Sequence, residues 1–297
     1  MKVLVADDSA LYRKMLEPLL MGWGYDVQLA KDGNEALAIL QGENAPLLAI
    51  VDGAMPGVTG PELCKALRAG DGPYVYIILL SANDRDDDIE HGFKLGADDY
   101  LCKPFKEFEL RARLRVGMRI LDAQNELLES RQRLEFQATH DPLTRLWNRG
   151  GIIELLKTEL SRAARSGESL SICLADLDHF KLINDTYGHL GGDEVLTATG
   201  NRMCAALRGY DFLGRYGGEE FLVILPGCNA QCGLPIAERL RRSIADEPIL
   251  CSSAAIHITA SIGLSEWQPG MKITDLLHNA DLALYRAKAL GRNRVES

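Results

Sequence analysis

The chain has 297 residues, with 33 Lys and Arg against 42 Asp and Glu, a formal net charge of −9 and 46% hydrophobic residues. This length predicts roughly two domains, and the ordinary apolar content excludes wholesale disorder and fibrous structure. The acidic balance argues against nucleic acid or an anionic membrane surface as a partner, because binding to either needs a positive field.

The sequence shows neither a membrane span nor a secretory signal. It contains no run of about 20 apolar residues, which a span needs. Asp7 and Asp8 interrupt the apolar stretch that a signal peptide needs. We therefore expect a cytoplasmic protein. The seven cysteines are odd in number and show no repeating spacing, which favours buried free thiols over a disulfide framework.

Residues 1–105 alternate short apolar runs with amphipathic helical patterns. The runs span residues 3–6, 25–30, 47–51, 75–80 and 99–102, and the helical stretches begin near residues 11, 34, 61 and 86. This alternation predicts a doubly wound parallel sheet of five strands with helices on both faces. In such a sheet, functional residues gather beyond the carboxyl ends of the strands.

Residues 105–138 contain little Gly or Pro and are predicted to form one long helix. Mostly apolar residues recur at spacings of four and three, beside a second series at every seventh residue, which is typical of a coiled-coil seam. The two series are Leu114, Met118, Leu121, Asn125 and Leu128, and Ile120, Leu127 and Leu134. Packing of the helix on its own domain explains the first half equally well. Beyond Arg119 we expect a partner helix.

The second half, from His140, has a different pattern. We predict strands at residues 170–175, 212–216, 221–225 and 256–264, and helices up to residue 207, at 229–245 and at 274–290. The two middle strands flank Gly217 and Gly218, which predicts a tight hairpin. The expected class is α+β with an antiparallel or mixed sheet. The predicted organisation is a domain at 1–120, a helical stalk at 106–138 that continues its last helix, and a domain at 139–297.

Polar residues stand at four predicted strand ends of the first half. Asp7 and Asp8 follow the first strand, Asp52 ends the third, Ser81 the fourth and Lys103 the fifth. Carboxylates suit Mg²⁺, and an Asp can accept a phosphoryl group when a metal and a cation neutralise its charge. The set predicts metal ligands at Asp7 and Asp8, a nucleophile at Asp52, and phosphoryl binding by Lys103 and Ser81. Helix capping explains any single acid, but not all five placements.

These residues resemble the response-regulator receiver family over residues 1–120. The matches are VADDS at 5–9, Asp52 with Met55, Pro56 and Gly60, Ser81 with Ala82, and Lys103 with Pro104. The resemblance implies a flavodoxin-like receiver fold, a metal at Asp7, Asp8 and Asp52, and phosphorylation of Asp52 by a cognate histidine kinase. It also implies a switch at Ser81 and Tyr100, and a cis peptide bond between Lys103 and Pro104.

Acids of the second half stand in two motifs, LADLDHFK at 174–181 and RYGGEEF at 215–221. If their strands are neighbours, Asp176 and Glu220 meet at a shared metal, while the glycines let the backbone approach a nucleotide. Asn184 and Asp193 suit the polar edge of a purine base. A glycine pair followed by acids is common in hairpins and is weak on its own.

Lys288 and Arg292 form a cationic pair near the end of the chain. They are four residues apart, so on one helix they share a face, which suits the binding of phosphates. We therefore expect both cations on the last helix.

The motif set as a whole is more specific and resembles the GGDEF family of diguanylate cyclases over residues 139–297. The matches, in order, are DPLTRLWNR, DLDHFKLINDTYGHLGGD, RYGGEEF, SIG at 261–263 and YRAKALGRNRV. Glu219 replaces the Asp of the signature, and Trp147 stands where Pro is frequent. The resemblance implies a nucleotide-cyclase-like domain that condenses two GTP into cyclic di-GMP and releases pyrophosphate, as a homodimer.

The resemblance also implies roles for single positions. Asp176, Glu220 and the carbonyl of Leu177 would hold Mg²⁺ or Mn²⁺, and Glu219 would help to activate the 3′ hydroxyl. The remaining assignments are Asn184 and Asp193 for guanine, and Lys181, Lys288 and Arg292 for phosphates.

Arg208 and Asp211 form an RxxD motif just before the hairpin, which matches the family's product-inhibition site. Arginine binds the O6 and N7 edge of guanine in bidentate fashion, and a carboxylate accepts from the base N–H groups. Alone, RxxD is a common surface salt bridge. Arg239 matches the family's secondary arginine from a partner domain.

The leading hypothesis is a phosphorylation-regulated diguanylate cyclase. The alternative is a catalytically inactive GGDEF-type receptor for cyclic di-GMP, against which the complete set of acids argues. A DNA-binding regulator is disfavoured, because residues 139–297 contain no helix-turn-helix pattern with a basic second helix. An ATP-using enzyme is disfavoured because no GxxxxGK[ST] loop occurs.

Overall fold

A computed structural model describes residues 1–70, 72–82, 86–252 and 254–297, and for residues 86–89 it describes the backbone alone. The chain divides into two compact units, Met1–Ser130 and Arg131–Ser297. Among the described residues, no helix combines the length and the apolar character that crossing a membrane requires.

The first unit alternates strands and helices, as predicted. Its elements are β1 (Lys2–Ala6), α1 (Ala10–Gly22), β2 (Asp26–Ala30), α2 (Gly33–Leu40), β3 (Leu48–Asp52), α3 (Gly60–Ala69), β4 (Tyr76–Ser81), α4 (Asp86–Lys94), β5 (Asp99–Cys102) and the start of α5 (Glu107–Thr139). All strands pair in parallel, in the order β2-β1-β3-β4-β5. This order confirms the doubly wound, flavodoxin-like sheet.

Both faces of this sheet are covered, which explains why its central strands are continuous apolar runs. On one face, Leu16 and Leu20 of α1 pack with Leu110 and Leu114 of α5 in one core cluster. On the other face, Leu63 belongs to a second cluster with residues of α2 and α3.

The long helix is confirmed, but the expectation that it contacts a partner helix directly beyond Arg119 is wrong at Leu121. This side chain is only 2% exposed and belongs to the core of the first unit, so α5 still packs on its own sheet beyond Arg119. The strongly exposed leucines come later, since Leu127, Leu128 and Leu134 are 69%, 56% and 62% exposed.

The second unit has a mixed sheet with helices packed on it. Its elements after α5 are α6 (Arg149–Ser166), β6 (Leu170–Leu177), α7 (Phe180–Ala206), β7 (Phe212–Arg215), β8 (Glu220–Pro226), α8 (Ala230–Ala245), β9 (Ile249–Leu250), β10 (Ala255–Ile256), β11 (Ala260–Glu266), α9 (Ile273–Ala289) and β12 (Val295–Glu296). The sheet order is β12-β11-β6-β8-β7, with β11 and β12 parallel and the other pairs antiparallel. The α+β class with a mixed sheet is confirmed.

The prediction of one strand over residues 256–264 is wrong, because β10 and β11 are separate. Between them, Thr259 turns toward the end of β6: its carbonyl accepts from the Asp178 N–H at 2.9 Å and its hydroxyl donates to the Asp178 carboxylate at 2.6 Å. Helix α6 was not predicted, although Asn148 caps its start through the N–H of Gly151 and Gly167 ends it in a left-handed conformation.

Helix α9 lies directly on the sheet because of Gly263 in β11. A Cβ at this position would lie 2.1 Å from the carbonyl oxygen of Ala280 in α9. Only glycine permits such a close approach of helix and strand. This packing brings the end of α9, which carries Lys288, to the end of β6.

Candidate active site and phosphoacceptor site

Three carboxylates meet at the carboxyl end of the sheet in the first unit. Oxygens of Asp7, Asp8 and Asp52 all lie within 4.8 Å of one another. Asp7 and Asp52 are buried, while Asp8 is exposed. The parallel pairing of β1 with β3 produces this arrangement, because both strands end at the same edge. A group of carboxylate oxygens with one open side suits a hydrated divalent cation.

Lys103 lies between two of these acids. Its Nζ is 2.7 Å from Asp7 Oδ2 and 3.1 Å from Asp52 Oδ1. Burial raises the pKa of Asp52, and the nearby Asp7 and Asp8 add to this, so Lys103 offsets the rise only in part. Burial alone would lower the pKa of Lys103, but Asp7 and Asp52 outweigh it and raise that pKa.

The other predicted residues of the first unit line the same place. Asp8, Asp52, Ser81, Tyr100 and Lys103 border a cleft of about 580 Å³. The peptide bond between Lys103 and Pro104 is cis, as the resemblance implied.

The acids of the second unit meet across two strands. In the antiparallel pair of β6 and β8, Asp176 stands directly opposite Glu220. Glu220 folds back over Gly217, where a Cβ would lie 2.3 Å from Glu220 Oε2. The N–H groups of Tyr216 and Gly217 donate to the Glu220 carbonyl and close the hairpin, at 2.8 and 3.2 Å. The hairpin glycine therefore provides the space that the Glu220 carboxylate occupies.

Lys288 of α9 neutralises part of this charge. Its Nζ lies 2.8 Å from Asp176 Oδ2. Burial raises the pKa of both Glu219 and Glu220, and the Asp176 carboxylate raises them further, while Lys288 opposes the rise. Asp176 and Glu220 thus bring two carboxylates together beside Leu177, the last residue of β6, and carboxylate and carbonyl oxygens are the ligands that Mg²⁺ or Mn²⁺ would take there.

The expectation that Lys288 and Arg292 share a helical face is wrong. Helix α9 ends at Ala289, and Gly291, Arg292 and Asn293 all adopt positive φ angles of 112°, 60° and 47°. A helix cannot continue through such residues. Arg292 is exposed in a turn beyond the helix.

Asn184 and Asp193 lie on two parts of α7. The helix is broken at Gly188, where φ is 73° and ψ is 172°. The break lets the two parts approach, so that a Cβ at Gly192 would lie only 1.9 Å from Asn184 Oδ1. The Asn184 side chain therefore lies against Gly192, the residue that precedes Asp193. Lys181 is exposed in the first turn of α7.

Arg208 and Asp211 border a cleft of about 290 Å³, together with His140, Arg145 and Trp147. The Asp211 carboxylate accepts from the Arg208 backbone N–H at 2.9 Å, whereas the Arg208 guanidinium donates to the Tyr210 hydroxyl at 2.9 Å. The two side chains therefore use different partners. On α8, Arg239 donates to the Ala206 carbonyl at 2.8 Å, near the end of α7.

Sequence reasoning missed a contact that supports the glycine hairpin. Arg215 Nη1 lies 3.2 Å from Asp141 Oδ1, and Arg215 Nη2 donates to the Gly218 carbonyl at 2.7 Å. Asp141 also accepts from the N–H and hydroxyl of Thr144. Both Asp141 and Arg215 belong to recognised motifs, but their 74-residue separation gave no signal that they pair.

The start of the second unit carries an aromatic stack beside this contact. The ring of Phe136 stacks on His140 with centroids 4.0 Å apart, and His140 contacts Trp147 at 4.2 Å. The Trp147 carbonyl accepts from the Arg215 N–H at 2.7 Å. The last turn of α5 is thereby joined to the strand that leads into the hairpin.

Two known protein families match the chain, one in each unit. The family described as diguanylate cyclase, GGDEF domain, matches residues 138–294. The chain belongs to the GGDEF family. The response regulator receiver domain family matches residues 3–115. The architecture of a receiver domain followed by a GGDEF domain is therefore confirmed.

Two curated relatives have related names and cover the chain differently. Diguanylate cyclase DgcP from Pseudomonas aeruginosa is 39% identical over 64% of this chain and 29% of its own length. Response regulator PleD from Caulobacter vibrioides is 34% identical over 84% of this chain and 56% of its own length. The chain thus spans less than two thirds of either relative.

Solved structures resemble the second unit. The coiled coil and GGDEF domain of DgcB from Caulobacter crescentus, in complex with c-di-GMP, is 32% identical with a TM-score of 0.57, covering 63% of this chain and 98% of that one. Diguanylate cyclase SiaD from Pseudomonas aeruginosa, in complex with its activator SiaC, is 36% identical with a TM-score of 0.53, covering 63% and 73%.

The Asp141 and Arg215 pair gives a stability prediction. Burial alone would raise the pKa of Asp141, but Thr144 and Arg215 outweigh it and hold that pKa below its usual range. Asp141→Asn keeps the turn and removes the charge, so we expect it to cost about 1–2 kcal/mol at neutral pH. A lowered folded-state pKa stabilises the fold above the unfolded pKa of about 4, and this stabilisation is lost as pH falls through the folded value.

The melting temperature of Asp141→Asn, measured by calorimetry from neutral pH downward, should therefore approach that of the native chain in acid. Exposed Asp122→Asn is the control. A deficit that persists unchanged at about pH 2 would contradict the ionic origin.

Proposed function

We propose that the protein is a phosphorylation-regulated diguanylate cyclase that condenses two GTP into cyclic di-GMP. The observation that carries the proposal is the placement of Asp176 opposite Glu220, with Lys288 bound to Asp176. This arrangement offers a divalent cation its oxygen ligands and offers a triphosphate a nearby ammonium group. The chain's membership of the GGDEF family supports it.

The reaction joins each 3′ oxygen to the α-phosphorus of the other nucleotide. The bond from that phosphorus to the β-phosphate breaks, two pyrophosphates leave, and each 3′ hydroxyl loses a proton. A bound Mg²⁺ or Mn²⁺ would lower the pKa of the hydroxyl and offset negative charge on the phosphates. Glu219, whose pKa is raised by burial and by Asp176, accepts the proton of the 3′ hydroxyl.

The rest of the predicted set binds GTP. Asn184, beside Gly192, and Asp193 hydrogen-bond to the guanine edge. A cation held by Asp176 would free the Lys288 ammonium group, which now lies 2.8 Å from that carboxylate, to bind the phosphates. Lys181 and Arg292, which are exposed, provide further positive charge for the phosphates.

The active form in this proposal is a homodimer. One unit holds one GTP, and each nucleotide attacks the other, so two units face each other across a two-fold axis. Exposed Leu127, Leu128 and Leu134 on α5 support a partner helix there. Pairing through this helix raises the effective concentration of the two halves.

The first unit regulates the second in this proposal. A cognate histidine kinase phosphorylates Asp52, with a divalent cation held by Asp7, Asp8 and Asp52. Lys103 already lies 3.1 Å from Asp52 and neutralises the new phosphoryl group. The change is transmitted through Ser81 and Tyr100, which line the same cleft.

Product inhibition completes the proposal. Arg208 binds the O6 and N7 edge of a guanine of cyclic di-GMP, and Asp211 accepts from its N–H groups. The cleft that these residues border supports this role. Arg239 serves the same ligand from a partner domain.

The decisive experiment measures cyclic di-GMP formed from GTP and Mg²⁺ by the purified protein. We expect Glu220→Gln to lower the rate by about 10²- to 10³-fold, because it removes a carboxylate ligand of the cation that would stabilise negative charge in the transition state. The control is Glu247→Gln, at an exposed glutamate of the same unit. Absence of product from the native chain, with or without a phosphoryl mimic and with retained cyclic di-GMP binding, would favour the receptor alternative.

Regulation is tested with beryllofluoride as the phosphoryl mimic. Asp52→Ala should reduce the ratio of rates with and without beryllofluoride to one, because the mimic bonds to the Asp52 carboxylate. Asp26→Asn, at an exposed position of the same unit, should keep the native ratio. Equal stimulation of the Asp52→Ala protein would overturn the regulatory part alone.

Inhibition is tested by adding cyclic di-GMP at the start of the reaction. Arg208→Ala should raise the half-inhibitory concentration about tenfold or more, as expected for loss of a bidentate guanine contact. Arg165→Ala, an exposed arginine of the same unit, is the control. An unchanged inhibition curve would remove Arg208 from the inhibitory site.

A further inference from the structure

The turn that follows α9 has an unusual backbone. Arg292 and Asn293 both lie in the left-handed region, with φ angles of 60° and 47°. Residues other than glycine rarely adopt this backbone conformation, and they keep it where surrounding contacts impose it. The Arg292 N–H donates to the Ala287 carbonyl of α9 at 3.0 Å, so the end of the helix fixes one part of the turn. The contacts of Asn293 fix the rest.

One side of the turn is anchored to the sheet. The Asn293 N–H donates to Asp178 Oδ2 at 3.1 Å. Asp178 is buried at 6% exposure, and its carboxylate also accepts from the hydroxyls of Thr259 at 2.6 Å and Ser261 at 2.7 Å. These hydroxyls orient the Asp178 carboxylate toward the turn.

The other side of the turn is anchored to α8. Arg241 Nη1 donates to Asn293 Oδ1 at 2.5 Å. Glu238 holds the same guanidinium with two contacts, from Arg241 Nε at 2.9 Å and Nη2 at 2.7 Å. Such a bidentate pair fixes the plane of the guanidinium as well as its position. The Arg241 side chain is only 15% exposed.

The Glu238 and Arg241 pair is electrostatically strong. Hydrogen bonds from Arg241 lower the pKa of Glu238 to about 2, with further help from Arg242. The pair therefore stays ionised throughout the neutral range, and Arg241 keeps one guanidinium edge for Asn293.

We propose that Arg241 is a positioning residue that acts through Asn293 to present Arg292 to the triphosphate of GTP. The inference rests on the proposed function, since it takes Arg292 as a phosphate ligand. Arg241 touches neither nucleotide nor metal in this account. Asp178 binds the backbone N–H of Asn293, and Arg241 binds its side-chain oxygen. Together they hold the two consecutive left-handed residues, Arg292 and Asn293. Arg292 is exposed, and no ion pair fixes its side chain among the described residues, so the conformation of the turn decides where the guanidinium can reach.

Arg242 offers a matched control within the same helix. Its Nε also binds Glu238 Oε1, at 3.0 Å, but its side chain is 64% exposed. Replacing Arg242, like replacing Arg241, removes one positive charge and a contact to Glu238. It leaves the contact between Arg241 and Asn293 in place.

The test compares Arg241→Gln with Arg242→Gln in steady-state cyclase kinetics. We expect Arg241→Gln to raise the KM for GTP about five- to tenfold with a much smaller change in kcat, since a charge-assisted hydrogen bond to the turn is lost. Arg242→Gln should leave KM within about twofold. In an Arg292→Ala background, Arg241→Gln should have no further effect on KM, because the residue that it positions is absent.

Asn293→Gly is the second variant, and it guards against a folding defect. Glycine accepts the left-handed backbone and keeps the N–H for Asp178, but removes the acceptor for Arg241. Asn293→Gly should reproduce the KM of Arg241→Gln. The double variant Arg241→Gln/Asn293→Gly should have the same KM as either single variant. Equal KM values for Arg241→Gln and the native chain, or full additivity with Arg292→Ala, would overturn the inference.

Binding of a non-hydrolysable GTP analogue, measured by calorimetry, separates this inference from the proposed function. In one outcome the native chain forms no cyclic di-GMP, but the analogue binds about five- to tenfold more weakly to Arg241→Gln than to the native chain or to Arg242→Gln. The positioning role then stands and the cyclase proposal fails. If the native chain forms product and the analogue binds Arg241→Gln and native protein equally, only the positioning role fails.

Discussion

Carboxylates brought together at the end of a sheet repel one another, and both units depend on a lysine to hold them there. In the first unit, Lys103 lies between Asp7 and Asp52. In the second, Lys288 binds Asp176 opposite Glu220. The strand ends supply geometry, whereas the lysine makes the convergence of negative charge tolerable. In each site an ammonium group therefore already balances part of the negative charge of the acids.

The parallel sheet of the first unit and the helices on both its faces followed from the alternation of apolar runs and helical patterns, and the flavodoxin-like fold followed from the family resemblance. The convergence of Asp7, Asp52 and Lys103 followed from the same rule about strand ends. In the second unit, motif order was sufficient to locate Asp176 and Glu220, and the antiparallel register placed them face to face.

What the sequence failed to indicate depends on contacts between distant residues. The pairing of Asp141 with Arg215 joins positions 74 residues apart, and no periodicity relates them. Arg292 looked helical because it follows Lys288 by four, but Asp178 and Arg241 hold its turn outside the helix. The strand expected over 256–264 was interrupted because Asp178 recruits Thr259. Leu121 fitted a coiled-coil seam equally well, and burial against its own sheet decided otherwise.

The route from the last turn of α5 to the glycine hairpin has a mechanical consequence. Asp141, the second residue after the helix, lies 3.2 Å from Arg215, and Arg215 donates to the Gly218 carbonyl at 2.7 Å, so two side chains connect this segment to the hairpin. The stacked rings of Phe136, His140 and Trp147 brace the same segment. The last turn of α5 and the backbone that carries Glu219 and Glu220 are therefore joined by direct contacts, so we expect a displacement of one to move the other.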